Sequence, residues 1–154
     1  MYIWYRMEFI VKAFPDLTLN DFHDIIALRI EVFVIEQNCP YQDLDGKDKV
    51  GFHLLVKQDG KIIGTTRILP QGVSYPEVSI GRVVIAKSHR MLKIGHQLME
   101  KSMEFVYQYF GLVDVKLSAQ KHLEKYYNHH GFLSTGKEYL EDGIPHVEMI
   151  KKTK

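Results

Sequence analysis

Residues 79–96 set out types and spacings that suit a phosphate ester. Ile80, Val83, Val84 and Ile85 are β-branched and closely spaced, which reads as a strand. His89-Arg90-Met91-Leu92-Lys93-Ile94-Gly95-His96 follows, a cationic turn with a glycine where a helix would begin. Beyond it Leu98, Ser102, Phe105 and Tyr109 fall on one helical row, and Met99, Met103, Val106 and Phe110 on the next. The first N–H groups of a helix lack internal partners, and the helix dipole favours an anion there. Strand, cationic turn and helix start together therefore predict a phosphate site. The plainer reading of the turn alone is a capped helix start.

Arg90-x-x-Lys93-x-Gly95, placed after Val83-Val84-Ile85, resembles the acetyl-CoA motif of GNAT N-acetyltransferases, Gln/Arg-x-x-Gly-x-Gly/Ala. Lys93 stands where that family usually has its first glycine. Two more segments, Arg29-x-x-Val32-Phe33-Val34-x-Glu36-Gln37-x-Cys39-Pro40-Tyr41-x-x-x-Asp45-Gly46-x-Asp48 and Tyr139-Leu140-Glu141-Asp142-Gly143-Ile144-Pro145-His146, are similar to the ElaA-like branch of that superfamily. The resemblance implies an α/β GNAT-like fold, a mixed central β-sheet flanked by helices on both faces. It also implies an acetyl-CoA-dependent N-acetyltransferase that releases CoA after direct attack by an amine. Val83, Val84 and Ile85 would pair with the pantetheine arm as an added strand would, and a main-chain N–H there would steady the oxyanion. Arg90, Met91, Leu92, Lys93, Ile94, Gly95 and His96 would cradle the diphosphate. At Lys93 a side chain either restricts the turn's backbone or adds a cation beside a phosphate. Gln120 matches a position that often holds asparagine against the pantetheine; the start of a surface helix is an equal reading for it.

Lys125-Tyr126-Tyr127-Asn128-His129-His130-Gly131-Phe132 resembles the family's Tyr-x-x-x-Gly-Phe segment, whose tyrosine is the general acid. Counting back from Gly131-Phe132 selects Tyr127, with Tyr126 as a packing aromatic. A phenol of pKa ~10 suits a thiolate leaving group of ~8.5. The acceptor amine, of pKa ~10 when lysine-like, must lose a proton before it attacks. Glu36, Asp45, Asp48, Glu77 and His53 are the candidate bases, though each taken singly reads more readily as a solvated or capping group. In GNAT folds the region after the first helix borders the acceptor, so Arg29, Glu36 and Gln37 are candidate substrate contacts; Arg29 would hold an acceptor carboxylate or pair with Glu36.

Composition removes other classes. The 154 residues carry a formal net charge of +1, with 45% hydrophobic and 25% charged residues, so no strong field recruits nucleic acid or a membrane surface. Cys39 is the only cysteine and excludes an internal disulfide. Charges interrupt the apolar N-terminus and no run approaches the ~20 residues of a membrane span, so a cytoplasmic protein is expected. Asp43-x-Asp45-Gly46-x-Asp48 looks like a calcium loop, but its glycine comes early and Leu54 stands where a glutamate is required. His129 and His130 are adjacent and diverge on a helix, so no metal is expected. His146, after Ile144-Pro145, reads as structural. The expected partner is a small-molecule or peptide amine. The aromatic N-terminus and final strands are surfaces on which a homodimer would form. An acyl-CoA-binding sensor without turnover is the alternative function, and a dimerisation domain with a vestigial pocket a third.

The elements that must position these residues follow in order, within one domain spanning 1–154. Tyr2 to Phe9 alternates as a first strand, broken by Phe14-Pro15-Asp16. Thr18-x-x-Asp21 resembles a capping box opening a helix that runs to about Val34. Residues 38–48 read as a loop. His53–Lys57, Asp59-Gly60 and Ile62–Leu69 make the clearest hairpin. The central strand and helix follow, then a strand at Val113–Leu117 and a short helix over Lys121–His130. A strand from Phe132, an Asp142-Gly143 turn and a last strand at His146–Ile150 complete a β-α-β-β-β-α-β-α-β-β order.

Overall fold

A computed structural model describes residues 6–153. The first strand, β1, spans Met7–Ala13 and pairs antiparallel with β2, Phe52–Gln58. It runs four residues beyond the expected end at Phe9, because the ladder continues to Ala13↔Phe52 and stops only where Phe14-Pro15-Asp16 turns. The expected start at Tyr2 lies outside the described residues. Helix α1, Leu19–Arg29, opens on the capping box: Thr18 Oγ1 accepts from the Asp21 N–H at 2.9 Å, and Asp21 Oδ2 from the Thr18 N–H at 3.2 Å. The helix then widens into a π-helical segment, Ile30–Glu36, whose end is held by Gln37 N–H to Val32 O and Cys39 N–H to Val34 O. Both bonds reach back across one residue more than an α-turn, and that wider turn aims Glu36 and Gln37 into the site.

Strand β3, Lys61–Leu69, follows β2 through Asp59 and Gly60, at φ 51° and 76°, a positive-φ pair that matches strand twist. Strand β4 spans Val78–Ile85, α2 Ile94–Phe110, β5 Val115–Gln120, α3 Glu124–His129, β6 Leu133–Glu141 and β7 Ile144–Lys151. The β5 ladder with β7 carries it three residues past the expected Leu117. The order across the single sheet is β1-β2-β3-β4-β5-β7-β6, with β4–β5 as the parallel pair.

Helices cover both faces. On one, Ile25, Leu28 and Val32 pack on Leu55, Ile62 and Val84. On the other, Ile94 and Leu98 meet Leu54, Val56 and Ile63, while Met99, Met103 and Val106 meet Ile68, Val78, Ile80, Val115 and Leu117. Leu98, Met99 and Val106 are fully buried, each a gain of about 1.5–3 kcal/mol over exposure. Tyr127 and Phe132, flanking Gly131, extend the second core. Alternation along β5 and β7 has a further effect. Leu117, Ala119, Val147 and Met149 face α2 and α3, which turns Ser118, Gln120, His146 and Glu148 to the opposite side. No helix among the described residues is long and apolar enough to cross a membrane.

Candidate active site

Parallel pairing between β4 and β5 consists of Val78↔Val115 and Ser79↔Lys116. Beyond those pairs β4 runs on to Ile85 and β5 to Gln120 without ladder bonds to each other. A cleft of about 1040 Å³ opens there, walled by Gly81–Ile85 on one side and by Ser118 and Gln120 on the other. A bulge sharpens the opening. The register with β3 slips between Thr65↔Val84 and Arg67↔Gly81, and Arg82 takes φ 48° to absorb the extra residue. Val83 thus faces α2 and Val84 faces α1, while the β5-facing backbone of this stretch is left without a strand partner.

The turn before α2 is the 3₁₀ segment Lys87–Leu92, and Lys93 joins it to the helix in the left-handed region at φ 58° and ψ 13°. Lys93 makes no side-chain cap to the first turn of α2, where the His96 N–H turns back onto Lys93 O at 3.2 Å. Met91 is almost wholly exposed and Ile94 is buried, so either would meet a phosphate through its backbone. Gly95 lies under the Tyr126 ring, 3.7 Å from where a Cβ would stand, and its carbonyl accepts from Tyr126 Oη. His96 Nδ1 lies 2.9 Å from His130 Nε2. A helix start without a side-chain cap, an unpaired strand edge and a long cleft joining them fit an acyl-CoA: Val83–Ile85 would hold the pantetheine and residues 93–96 the diphosphate.

Several expected contacts meet each other instead. Arg90 forks onto Glu36 at 2.9 and 2.7 Å and also donates to Ile85 O at 3.2 Å. The Arg90 guanidinium on Glu36 holds that carboxyl below its usual range. Gln37 and Gln120 exchange amide hydrogen bonds of 3.4 and 3.1 Å. Two successive residues at the end of the π-helical segment thus tie to opposite walls of the cleft. Arg29 requires a correction as an acceptor contact. It is 1% exposed and forms no part of the cleft wall, and its guanidinium is taken by Asp43 at 2.8 Å and Asp48 at 2.7 Å rather than by Glu36.

The base candidates are likewise engaged. Burial would raise Asp45, but Arg67, bound at 2.8 and 2.9 Å, brings it down to about 2. Burial acts the same way on Asp48, and Arg29 and Arg67 override it. Glu77 faces Lys116 at 3.7 Å, away from the cleft wall. His53 is buried on Asp48 O at 3.0 Å, and burial lowers its pKa. Tyr127 does line the cleft. Among the described residues its hydroxyl makes no hydrogen bond, and burial pushes its pKa up, as it does for Tyr126. Sequence reasoning set His146 aside and passed over Glu141; both stand in the cleft wall. The usable signal was that His146 lies within the ElaA-like segment.

A sheet parted between two parallel strands in front of a helix start is the architecture of acyltransferases of the GNAT type. The chain belongs to that family: the acetyltransferase (GNAT) domain model matches residues 19–153. It is thereby an acyl-CoA-dependent acyltransferase, and its near relatives include the ElaA proteins. ElaA of Escherichia coli strain K12 is 38% identical over 139 residues, 89% of this chain and 91% of ElaA. The structure of Escherichia coli ElaA matches with a TM-score of 0.89 at 35% identity, covering 96% of this chain and 100% of that one. An acyl-CoA N-acyltransferase from Pseudomonas aeruginosa matches with a TM-score of 0.88 at 40% identity, covering 94% and 99%.

Proposed function

We propose that the protein transfers an acetyl group from acetyl-CoA to the amine of a small molecule or peptide by direct attack, with Tyr127 as general acid. The observation that carries this reading is the Tyr127 side chain in the wall of the long cleft, its hydroxyl without a hydrogen-bond partner among the described residues. Bound acetyl-CoA supplies the activated acyl group. The chain's own work is then to align and to move protons. Val83–Ile85 orient the acyl end, and a main-chain N–H at the β4 bulge points the carbonyl for attack and steadies its charge. Tyr127, kept protonated by its dry surroundings, gives its proton to the sulfur as the C–S bond breaks.

Calorimetry with CoA and thiol release with a panel of primary amines test the reading. Tyr127→Phe is expected to lower kcat by about 10²–10⁴-fold and leave CoA affinity unchanged. Full turnover in Tyr127→Phe would overturn the acid assignment, and absence of CoA binding at millimolar concentration would overturn the whole. Binding without thiol release from any amine would mark a sensor instead.

A further inference from the structure

Acyl transfer to an ammonium needs a proton acceptor, and the Arg and Lys partners described above occupy Glu36, Asp45, Asp48 and Glu77. Two carboxylates of the cleft wall, Glu141 and Asp142, have no Lys or Arg partner among the described residues. Both sit at the β6–β7 turn, beside His146. His146 is 8% exposed and lines the same cleft. Its Nδ1 lies 2.7 Å from Ile144 O. A carbonyl only accepts, so Nδ1 carries the hydrogen and Nε2 of the neutral ring holds the lone pair. The ring is stacked on Tyr139 at 17°, and Tyr139 Oη is in turn bonded to Ser118 Oγ. Nε2 stands 3.2 Å from Glu141 Oε2. With the ring neutral, that lone pair and the carboxylate are two adjacent acceptors, a pair that suits a group with several N–H donors. A primary alkylammonium is such a group.

We infer that Glu141 and His146 form the acceptor subsite, where Glu141 holds the alkylammonium and His146 Nε2 takes its proton. The inference deepens the proposed function and rests on it. The N–H bond of the ammonium breaks as Nε2–H forms. The freed lone pair makes the C–N bond to the acyl carbon, the C–S bond breaks, and the sulfur takes the Tyr127 proton. His146 then passes its proton to solvent, and the second proton, shed by the nitrogen as the neutral amide forms, restores Tyr127 by way of the solvent, so that one proton is released per turnover. Glu141, 3.2 Å away, stabilises the imidazolium in the interval. Register brings the subsite to the reaction: His146 pairs with Gln120 of β5 and with Tyr139 of β6. Asp142 stands in the same cleft wall as a second carboxylate, and the remaining groups near His146 are occupied or neutral. Gln120 and Ser118 are neutral, burial pushes Tyr75 up, and Lys121 and Glu138, beside its outer side, pair with each other.

The test is kcat/KM for thiol release from acetyl-CoA, from pH 6 to 10, with the best amine of the panel, using full-length wild type, His146→Gln, Glu141→Gln and Tyr127→Phe. His146→Gln should lose about 10²–10³-fold near neutral pH. The deficit should shrink about tenfold per pH unit as free amine accumulates towards its own pKa of ~10. Glu141→Gln, an exposed change that spares the fold, should lose about tenfold with the same trend, whereas the Tyr127→Phe deficit should persist at high pH. CoA affinity by calorimetry should match wild type in both subsite variants, which also reports that they are folded. A His146→Gln rate equal to wild type, or a loss constant across pH, overturns the proposal while leaving the transfer reading intact. A wild type that binds CoA but releases no thiol with any amine overturns both.

Discussion

Lys93 occupies a backbone conformation that glycine adopts freely and lysine does not. At φ 58° its Cβ crowds the backbone, a strain of about 1–2 kcal/mol. Lys93→Gly is therefore expected to raise stability by about 1 kcal/mol, read as a shift of the urea midpoint at constant slope; no gain would show that neighbouring contacts offset the strain. The Lys93 side chain is exposed, so it does not fill the cleft. At the same scale Arg90 spends its charge on Glu36, an exposed pair of the kind that contributes at most about 1 kcal/mol to stability. Its consequence is positional: it fastens the end of the π-helical segment to the turn before α2.

Among the elements, β4 links packing to function. Gly64 of β3 lies against it so closely that a Cβ would stand 2.9 Å from Ile85 Cδ1 and 3.3 Å from Val84 O. Gly64→Ala is expected to destabilise by about 1–3 kcal/mol, as Ile85 Cδ1 swings aside and the Val84 carbonyl yields, and the shift at Val84 is expected to weaken CoA binding. Denaturation and calorimetry on one variant measure both. The acidic loop after α1 is locked differently. Asp43, Asp45 and Asp48 bind Arg29, Arg67 and Arg82 in a largely buried network. Asp45, with its pKa depressed to about 2, and Asp48, also depressed, contribute stability that is whole above the ordinary carboxylate pKa of 3.8. That contribution is lost as pH falls through about 2. Before that, the His53 of the unfolded chain takes up a proton that the native ring, its pKa lowered by burial from 6.5, refuses, so stability begins to fall below that value. Urea midpoints measured from pH 7 to 2 are expected to fall in those two stages. In Asp48→Asn the acidic stage should shrink and stability at pH 7 should drop by about 3–5 kcal/mol, because Arg29 loses a buried partner.

At the scale of the molecule, two sheet halves meet through the short parallel contact of β4 and β5, and the cleft lies in the remainder of that boundary. A ligand bound across it stabilises both halves at once. CoA at a hundredfold excess over Kd is expected to add about 2.7 kcal/mol, seen as a concentration-dependent rise in Tm. One face of the outer half, which carries Ser118, Gln120, Tyr139 and His146, turns away from α2 and α3 and faces the cleft. That placement gives this part of the cleft a polar floor.

Local patterns were enough to write most of the architecture from sequence. The capping box at Thr18, the Asp59-Gly60 and Asp142-Gly143 turns and the rows of α2 each depend on neighbours a few residues apart, and so could be read along the chain. Strand ends at Ala13 and Gln120 could not, because a partner strand sets where a ladder stops. The choice of polar partners was also out of reach. Arg29 selects Asp43 and Asp48, Arg90 selects Glu36 across 54 positions, and Gln37 selects Gln120 across 83. His146 enters the site only because β7 lies between β5 and β6, against chain order. Hydrogen bonds and ion pairs fall off over a few ångströms, so which of many chemically equivalent groups meet is decided by strand order and register. The sequence by itself determined which elements form; the tertiary structure alone decided which polar side chains meet and which were left without a charged partner in the cleft.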